Sequence, residues 1–296
     1  MKKFFIFLFI FLILFPIVSA SDDDDECGWN NIGSCLAQKF FGFMAKILSA
    51  PITPLMNWTY KLMTQPVNIS IFSGVWAIIV YILSLFYGIL LLFSGFKFIL
   101  AGESAEKREN AKSFLTNTII MMVLVQSSYF IYYLFVEVGA SLTQVIFNMI
   151  PSSFFSITIN NVGDLGLQLI MVIPYALLIL VVLIFLTLRY LFVAVGVVFF
   201  ALGIFFYFIN PLKQYGKLIL NWLLVSILLP FAYSIVFLAS SKLIDVGVFS
   251  ELKILVMMGA FAMVITLSLI MLLFVVTKAA NSKPVKQVVS VAKMVA

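Results

Sequence analysis

Long uncharged apolar runs, separated by short polar segments, make up most of the chain. A helix needs about 20 apolar residues to cross the hydrocarbon core of a bilayer. Five runs of this kind predict full membrane spans: residues 71–96, 114–136, 166–188, 218–240 and 254–277. A further apolar run, 190–209, contains Gly196 and Gly203, and we interpret it as a re-entrant or broken helix. The predicted fold is an all-α polytopic membrane protein with about five full transmembrane helices plus one re-entrant or broken helix. The alternative has six spans.

The lysines and arginines between the runs favour the five-span arrangement. Cytoplasmic segments of membrane proteins carry an excess of these residues. With five spans and the mature N-terminus outside, eleven cations are cytoplasmic and five lie outside, whereas a sixth span leaves only seven inside. We therefore expect a multi-pass protein of the plasma (cytoplasmic) membrane. Its mature N-terminus would lie outside, and its C-terminal basic tail, 278–296, would lie in the cytoplasm.

The first 20 residues have the order of a secretory signal peptide. The basic segment Met1-Lys2-Lys3 precedes an apolar run and the small residues Val18-Ser19-Ala20, which match the three regions of such a peptide. The alternative is an uncleaved signal anchor, and both interpretations place the next residues outside. There, residues 22–26 form an acidic spacer. Cys27 and Cys35 are expected to form a disulfide, with two free thiols as the alternative.

Residues 21–70 form the predicted extracytoplasmic region. Within it, residues 36–64 alternate apolar stretches with lysines and are interrupted by Pro51 and Pro54. We therefore expect two short amphipathic helices on the outer membrane surface. Asn57 and Asn68 each begin an Asn-X-Ser/Thr triplet, which is the acceptor pattern for N-linked glycosylation.

Residues 71–140 are predicted to form a two-span helical hairpin whose cytoplasmic loop is 97–113. Ser104 can cap a new helix there, and the acidic residues beside it suit the positive end of the helix dipole. The loop is either a solvated hairpin tip or a docking point for a cytoplasmic partner. The residues assigned to docking are Gly102, Glu103, Glu106, Lys107, Arg108 and Lys112. Residues 141–165 are expected to be an extracytoplasmic surface segment.

The segment 166–277 is predicted to be a transmembrane bundle that contains Arg189 and the broken helix 190–209. An arginine between apolar runs is costly unless it meets a partner, water or the headgroups. One interpretation is that Arg189 snorkels to the cytoplasmic headgroups. The other is that it braces the broken helix, or lines an aqueous path, by donating to freed carbonyls near Gly196 or Gly203.

Three residues that follow the broken helix also direct the path of the chain. Pro211 belongs to a turn that begins at Asn210. Trp222, near the start of the next span, fits an interfacial anchor. Pro230 is expected to kink that span, because proline interrupts the helical hydrogen bonds.

Composition excludes several classes of function. The chain is 64% hydrophobic and 10% charged, with a mean hydropathy of +1.19, whereas soluble domains carry about 25% charged residues. Because histidine is absent, Ser-His-Asp catalysis and His-ligated zinc are excluded. Two cysteines are too few for an iron–sulfur or four-cysteine zinc site. We therefore expect that the protein is not an enzyme and that it binds no metal and no cofactor.

The second half of the chain resembles a known family. An arginine, an apolar run with glycines, a basic turn with proline and a span with tryptophan resemble the polytopic membrane subunit of type IV secretion and conjugation systems, the TrbL-like family and its archaeal DNA-import relatives. The residues that carry this likeness are Arg189, Gly196, Gly203, Pro211, Lys213, Gly216 and Trp222. The first hairpin is similar to the helical hairpin of conjugative pilins.

The resemblance implies a non-catalytic integral membrane subunit of a type IV secretion-like DNA or protein translocation apparatus that forms or braces the membrane conduit. The implied partners are a secretion-type ATPase, pilin-like small membrane subunits, membrane lipid and DNA in transit, in a homo-oligomer or a larger complex. The alternatives are a stand-alone small-molecule channel or transporter, and a membrane scaffold or assembly factor.

Overall fold

The protein is helical almost throughout in the computed structural model, which describes residues 52–155, 165–246 and 252–280, together with Ala50 and Phe249. Of this part, 92% is helical, and no strand occurs in it. Seven α-helices are present: α1 (Ile52–Thr64), α2 (Ser73–Leu100), α3 (Ala105–Gln126), α4 (Ser128–Phe147), α5 (Leu165–Phe208), α6 (Lys213–Ile244) and α7 (Lys253–Ala280). Short 3₁₀ turns lie at Ile69–Phe72, Ala101–Glu103, Ser152–Phe154 and Asn210–Leu212.

Five helical stretches are long and apolar enough to cross a membrane. They are Ile69–Leu100, Ser128–Phe147, Met171–Phe208, Asn210–Ile244 and Lys253–Phe274. Large apolar side chains are exposed along these helices, as for Ile89 and Leu92 on α2, and such surfaces suit contact with lipid rather than water. The all-α polytopic fold with about five spans is therefore confirmed.

The prediction of a re-entrant or broken helix at 190–209 was wrong. Residues 190–208 belong to α5, which runs without interruption from Leu165 to Phe208 over 44 residues. At 1.5 Å per residue the helix is about 66 Å long. Gly196 and Gly203 lie inside it without breaking it, because a glycine weakens a helix by only about 1 kcal/mol and keeps its backbone hydrogen bonds. The run is therefore no separate sixth crossing either.

The bounds of the second predicted span were also wrong. The chain turns at Ser127, inside the run 114–136, and α4 then continues through Glu137 to Phe147. The Ser127 hydroxyl donates to the carbonyl of Val123 at 2.7 Å, and a serine that bonds back to its own helix favours a bend. Residues 141–147 of the predicted surface segment are therefore part of a membrane helix.

The segment before the first span contains one described helix, α1. Pro54 was expected to break this region, yet it lies in the first turn of α1. Proline is tolerated there because the first N–H groups of a helix have no partner within the helix. Pro51 and residues 36–49, the site of the other predicted surface helix, lie outside the described residues, as do the signal peptide, Cys27 and Cys35, and the tail from 281.

The contacts divide the chain into two compact units, and the larger includes Leu62–Met149, Phe185–Leu238 and the chain from Val264. Its core has two clusters of buried side chains. In one, Tyr132 and Val136 of α4 pack with Val193 and Val197 of α5 and with Leu223 of α6. In the other, α2, α3 and α5 contribute the buried side chains of Val80, Leu83, Met121, Val125, Ala201, Ile204 and Phe205.

The second unit includes Ile150–Ile184 and Ala239–Met263. Within it, the fully buried ring of Tyr175 packs edge-to-face on Phe261, with 5.6 Å between the ring centroids. The Lys253 ammonium donates to the carbonyl of Ser153 at 2.7 Å. These contacts join the first part of α5 and the segment before it to the start of α7.

Candidate functional site

Arg189 joins two membrane helices of the larger unit. It lies near the middle of the apolar stretch Met171–Phe208 of α5, and its guanidinium is turned toward α6. The Nε–H donates to the carbonyl of Ser226 at 2.9 Å, and an Nη2–H donates to the carbonyl of Ile227 at 3.1 Å. The side chain is thus held by two charge-assisted hydrogen bonds, which are stronger than bonds between neutral groups.

One of the two carbonyls, that of Ser226, lacks a helical donor because of Pro230. In an α-helix the N–H of each residue donates to the carbonyl four positions earlier, and Pro230, inside α6, has no N–H to give to Ser226. The Nε–H of Arg189 takes the place of the missing donor. The hydroxyl of Ser226 donates to the carbonyl of Trp222 at 2.9 Å. We refer to Arg189, Ser226, Ile227 and Pro230 as the arginine–proline brace.

The charge of Arg189 is balanced by dipoles. Within the described residues no carboxylate contacts the guanidinium, whose partners are the two carbonyls. Tyr132 donates to the carbonyl of Val193 at 2.7 Å. A charged group in a low-dielectric bundle requires such compensation, because its transfer from water costs several kcal/mol.

Glycines allow the helices around the brace to approach closely. A Cβ atom at Gly196 would collide with the hydroxyl of Tyr132 and would lie 2.7 Å from a methyl of Leu223. A Cβ at Gly139 of α4 would lie 2.9 Å from a methyl of Ile227. Small residues at such positions let helix backbones pack against each other in membranes. Gly196 is therefore a site of close helix packing. The prediction that Arg189 donates to carbonyls near Gly196 or Gly203 was wrong, because its partners are on α6.

The turn between α5 and α6 adds a second close approach. Gly203 and Gly216 face each other, and a Cβ at Gly216 would collide with the backbone N of Tyr207 and lie 2.6 Å from the carbonyl oxygen of Gly203. Pro211 sits between them in the 3₁₀ turn Asn210–Leu212. The two helices are thus in backbone contact where they leave the turn.

A spacing of seven residues on both helices underlies these contacts, and the sequence analysis missed it. Arg189, Gly196 and Gly203 are each seven positions apart on α5, and Gly216, Leu223 and Pro230 are each seven apart on α6. Across an antiparallel pair this repeat places Gly203 at Gly216, Gly196 at Leu223 and Arg189 near Pro230. A seven-residue repeat keeps one face of a helix toward its partner, so the pattern could have identified Pro230 as a partner of Arg189.

Trp222 lies within the bundle rather than free at its edge. Its half-buried ring packs edge-to-face against Phe192, with 5.6 Å between the ring centroids. Its carbonyl accepts the hydrogen bond from Ser226. The residue therefore contributes to the α5–α6 contact beside the brace.

The predicted cytoplasmic loop is a tight turn between α2 and α3. Ser104 caps α3 as predicted, and its side-chain oxygen accepts from the N–H of Lys107 at 3.3 Å. Arg108 donates to the carbonyl of Gly102 at 3.4 Å. The other residues assigned to docking lie in the same turn and first helical turns: Glu103, Glu106 and Lys112. The structure brings this group together at the hairpin tip, and the brace is a separate group on α5 and α6.

The two glycosylation triplets have different surroundings. Asn57 is exposed but lies inside α1, and the hydroxyl of Thr59 is buried and donates to the carbonyl of Leu55 at 2.9 Å. Asn68 is exposed and caps the 3₁₀ turn before α2, where its side chain accepts from the N–H of Ser70 at 3.1 Å. Both asparagines are therefore in ordered local structure, and a glycan at Asn57 would stand on a helix.

No family model, curated protein or solved structure matches the chain.

Within residues 52–155, 165–246 and 252–280, no group of three or more His, Cys, Asp or Glu side chains is placed to hold a metal ion. What the brace can do follows from its bonds: it fixes the crossing of α5 and α6 with two directional hydrogen bonds.

Proposed function

We propose that the protein is a non-catalytic integral membrane subunit of a type IV secretion-like DNA or protein translocation apparatus, in which it braces the membrane conduit. The observation that carries the proposal is the arginine–proline brace. Ionisable residues inside membrane helices are costly and mark functional positions. Here the cost is offset by bonds between two helices, which suits a subunit whose helices must keep a fixed arrangement while cargo passes.

The packing around Arg189 favours bracing over lining an aqueous path. The guanidinium bonds to α6, and the adjacent turns of the two helices carry the fully buried side chains of Val193 and Leu223. Gly196 leaves no room for even one added methyl group. We therefore assign Arg189 the role of positioning two helices that form part of the conduit wall.

The remaining features of the proposal concern topology and partners. The mature N-terminus would lie outside the plasma membrane, after a cleaved signal peptide and with the Cys27–Cys35 disulfide. The C-terminus would lie in the cytoplasm. The hairpin tip between Gly102 and Lys112 would contact a secretion-type ATPase, and pilin-like small subunits would pack beside the membrane helices. The exposed, capped turn at this tip supports a contact site that requires no refolding.

A transfer assay in the native host tests the brace. We expect Arg189→Leu to abolish transfer at normal protein levels, because the Ser226 carbonyl then has no donor. We expect the double variant Arg189→Leu with Pro230→Ala to recover transfer, because the backbone of the introduced alanine supplies the missing N–H. Unchanged transfer in Arg189→Leu at normal levels would refute the proposal. Loss that Pro230→Ala does not relieve would assign Arg189 to the path instead.

Purification of the tagged protein from its native membrane in mild detergent tests the partners. We expect mass spectrometry to identify a secretion-type ATPase and short two-span proteins. A homo-oligomer that carries no ATPase, even after crosslinking, would instead support the stand-alone channel or transporter.

A membrane scaffold or assembly factor is the second candidate, and the closed packing at the brace favours it. In this role other subunits would need the protein, but no cargo would pass beside it. Cysteines placed along α5 and α6 and crosslinked to cargo in transit distinguish the two functions. Crosslinks to cargo support the conduit subunit, and their absence at every position, with transfer intact, supports the scaffold.

A further inference from the structure

A polar groove lies at the end of the hairpin formed by α2 and α3. Its volume is about 750 Å³. Phe98 of α2 lines one side. The other side is a stripe along α3 formed by Arg108, Lys112, Ser113, Thr116 and Asn117. Residues three to four positions apart share one face of a helix, so the stripe is continuous over more than two turns. Glu109 also lines the groove, which leaves one net positive charge on its lining.

The groove lies at the level of a membrane interface. The ammonium group of Lys97 on α2 is 5.1 Å from the ring centroid of Phe93 and 4.2 Å from that of Phe114 on α3. A lysine over aromatic rings is typical of the boundary between headgroups and hydrocarbon. Because Phe114 follows Ser113 directly on α3, the part of the polar stripe around Ser113 lies at this boundary.

The uncharged polar side chains of the stripe have no partner in the described chain. Other threonine hydroxyls in the membrane helices bond to their own backbone, as Thr118 of α3 does to Phe114 at 2.8 Å and Thr143 of α4 does to Gly139 at 2.7 Å. The exposed side chains of Ser113, Thr116 and Asn117 make no hydrogen bond within the described residues. These donors are therefore free for a ligand, and they stand beside two cations.

We propose that this groove binds the headgroup of one anionic phospholipid. The phosphate would bond to Arg108 and Lys112, since arginine and lysine are the common phosphate-binding residues. The hydroxyls and the amide of the stripe would bond to the oxygens of the glycerol and ester groups. An acyl chain would start beside Phe98 and continue toward the hydrocarbon past the exposed side chain of Ile120, which lies on the same face of α3 three residues after Asn117. A free phosphate would use the cations but would gain nothing from this apolar wall.

This proposal does not rest on the function proposed above, although it shares Arg108 and Lys112 with the proposed ATPase contact, and it can be tested on the full chain purified in a nonionic detergent. Native mass spectrometry measures retention of phosphatidylglycerol against phosphatidylcholine with the same acyl chains. We expect selective retention of phosphatidylglycerol by the unaltered protein. We expect about a thirty-fold loss of apparent affinity in Arg108→Gln with Lys112→Gln, since each basic residue near an anionic headgroup contributes about a factor of five.

Matched variants distinguish lipid binding in the groove from a general attraction of anionic lipid to positive charge. Lys213→Gln with Lys217→Gln removes the same charge at the start of α6, and it should leave retention unchanged. Thr116→Val keeps every charge, and it should weaken retention by about five-fold through one lost hydrogen bond. Equal retention of the two lipids by the unaltered protein, or an equal loss in the α6 variant, would overturn the proposal. Displacement of the lipid by millimolar glycerol phosphate would reassign the groove to a soluble phosphate.

Discussion

The arginine–proline brace makes a quantitative prediction about stability. Arg189→Met keeps the length of the side chain but removes both donors to α6. The carbonyl of Ser226, which lacks an N–H donor from Pro230, then has no partner. The perturbation therefore acts on a single helix contact, and Pro230→Ala should suppress its effect because the alanine N–H can bond to Ser226.

The magnitude follows from the two hydrogen bonds. Leaving a buried carbonyl without a partner costs about 1–3 kcal/mol, and hydrogen bonds to charged groups contribute about 1.5–3 kcal/mol each. Removal of the arginine also removes the cost of burying its charge, which offsets part of the loss. We therefore expect Arg189→Met to lower the free energy of unfolding by about 2–3 kcal/mol with Pro230 present. The loss should be about 1 kcal/mol with alanine at that position.

A double-mutant cycle measures this coupling. The free energy of unfolding is obtained by titration with SDS in mixed micelles for the unaltered protein, Arg189→Met, Pro230→Ala and the double variant. The coupling energy should be about 1–2 kcal/mol. Arg108→Met, which replaces an exposed arginine at the hairpin tip, serves as the control and should change stability little. A coupling energy near zero would show that Arg189 does not replace the missing donor of Pro230, and the brace would be refuted.

Three further substitutions test the packing and the capping by the same titration. Gly196→Ala should lower stability by about 1–3 kcal/mol, because its methyl would overlap Tyr132. Gly95→Ala, which has open space around it, should be neutral or slightly stabilising, and an equal effect of the two would contradict the close approach. Gly216→Ala should cost at least as much as Gly196→Ala, since it meets rigid backbone, and a milder effect would count against the contact at the turn. Ser104→Ala should cost about 1 kcal/mol through the lost helix cap, whereas a stability equal to that of the parent would show that water caps the helix as well.

The sequence predicted the fold class and the number of spans because hydrophobic length is a property of each segment alone. Runs of about 20 apolar residues must be helical in lipid, since every backbone group needs a partner. The cap at Ser104 was predictable for a similar reason, because a side-chain oxygen before a helix acts on N–H groups two or three residues away. Both predictions depend on neighbours along the chain.

The errors occurred where contacts between helices decide the local structure. From sequence alone, Arg189 and the glycines at 196 and 203 were predicted to end or break a helix, yet α6 supplies what each requires. The arginine bonds to the carbonyl that Pro230 leaves without a donor, and side chains and backbone of neighbouring helices pack into the space beside the glycines. In the second span the sequence contained only a weak indication of the turn at Ser127. Ser127 and its polar neighbours interrupt an apolar run, and hydropathy alone did not distinguish a turn there from a continuous helix.

The length of α5 has a consequence for the surrounding bilayer. Its apolar stretch, Met171–Phe208, has 38 residues and is therefore about 57 Å long, whereas a typical hydrocarbon core is about 30 Å thick. Tilt alone would have to reach about 60° to hide this stretch, beyond the roughly 40° seen for membrane helices. The mismatch costs energy for every ångström of missing hydrocarbon, so thick bilayers of long-chain lipids should suit the protein best. The stability of the protein in bilayers of increasing lipid chain length therefore measures how much of this stretch lies in hydrocarbon.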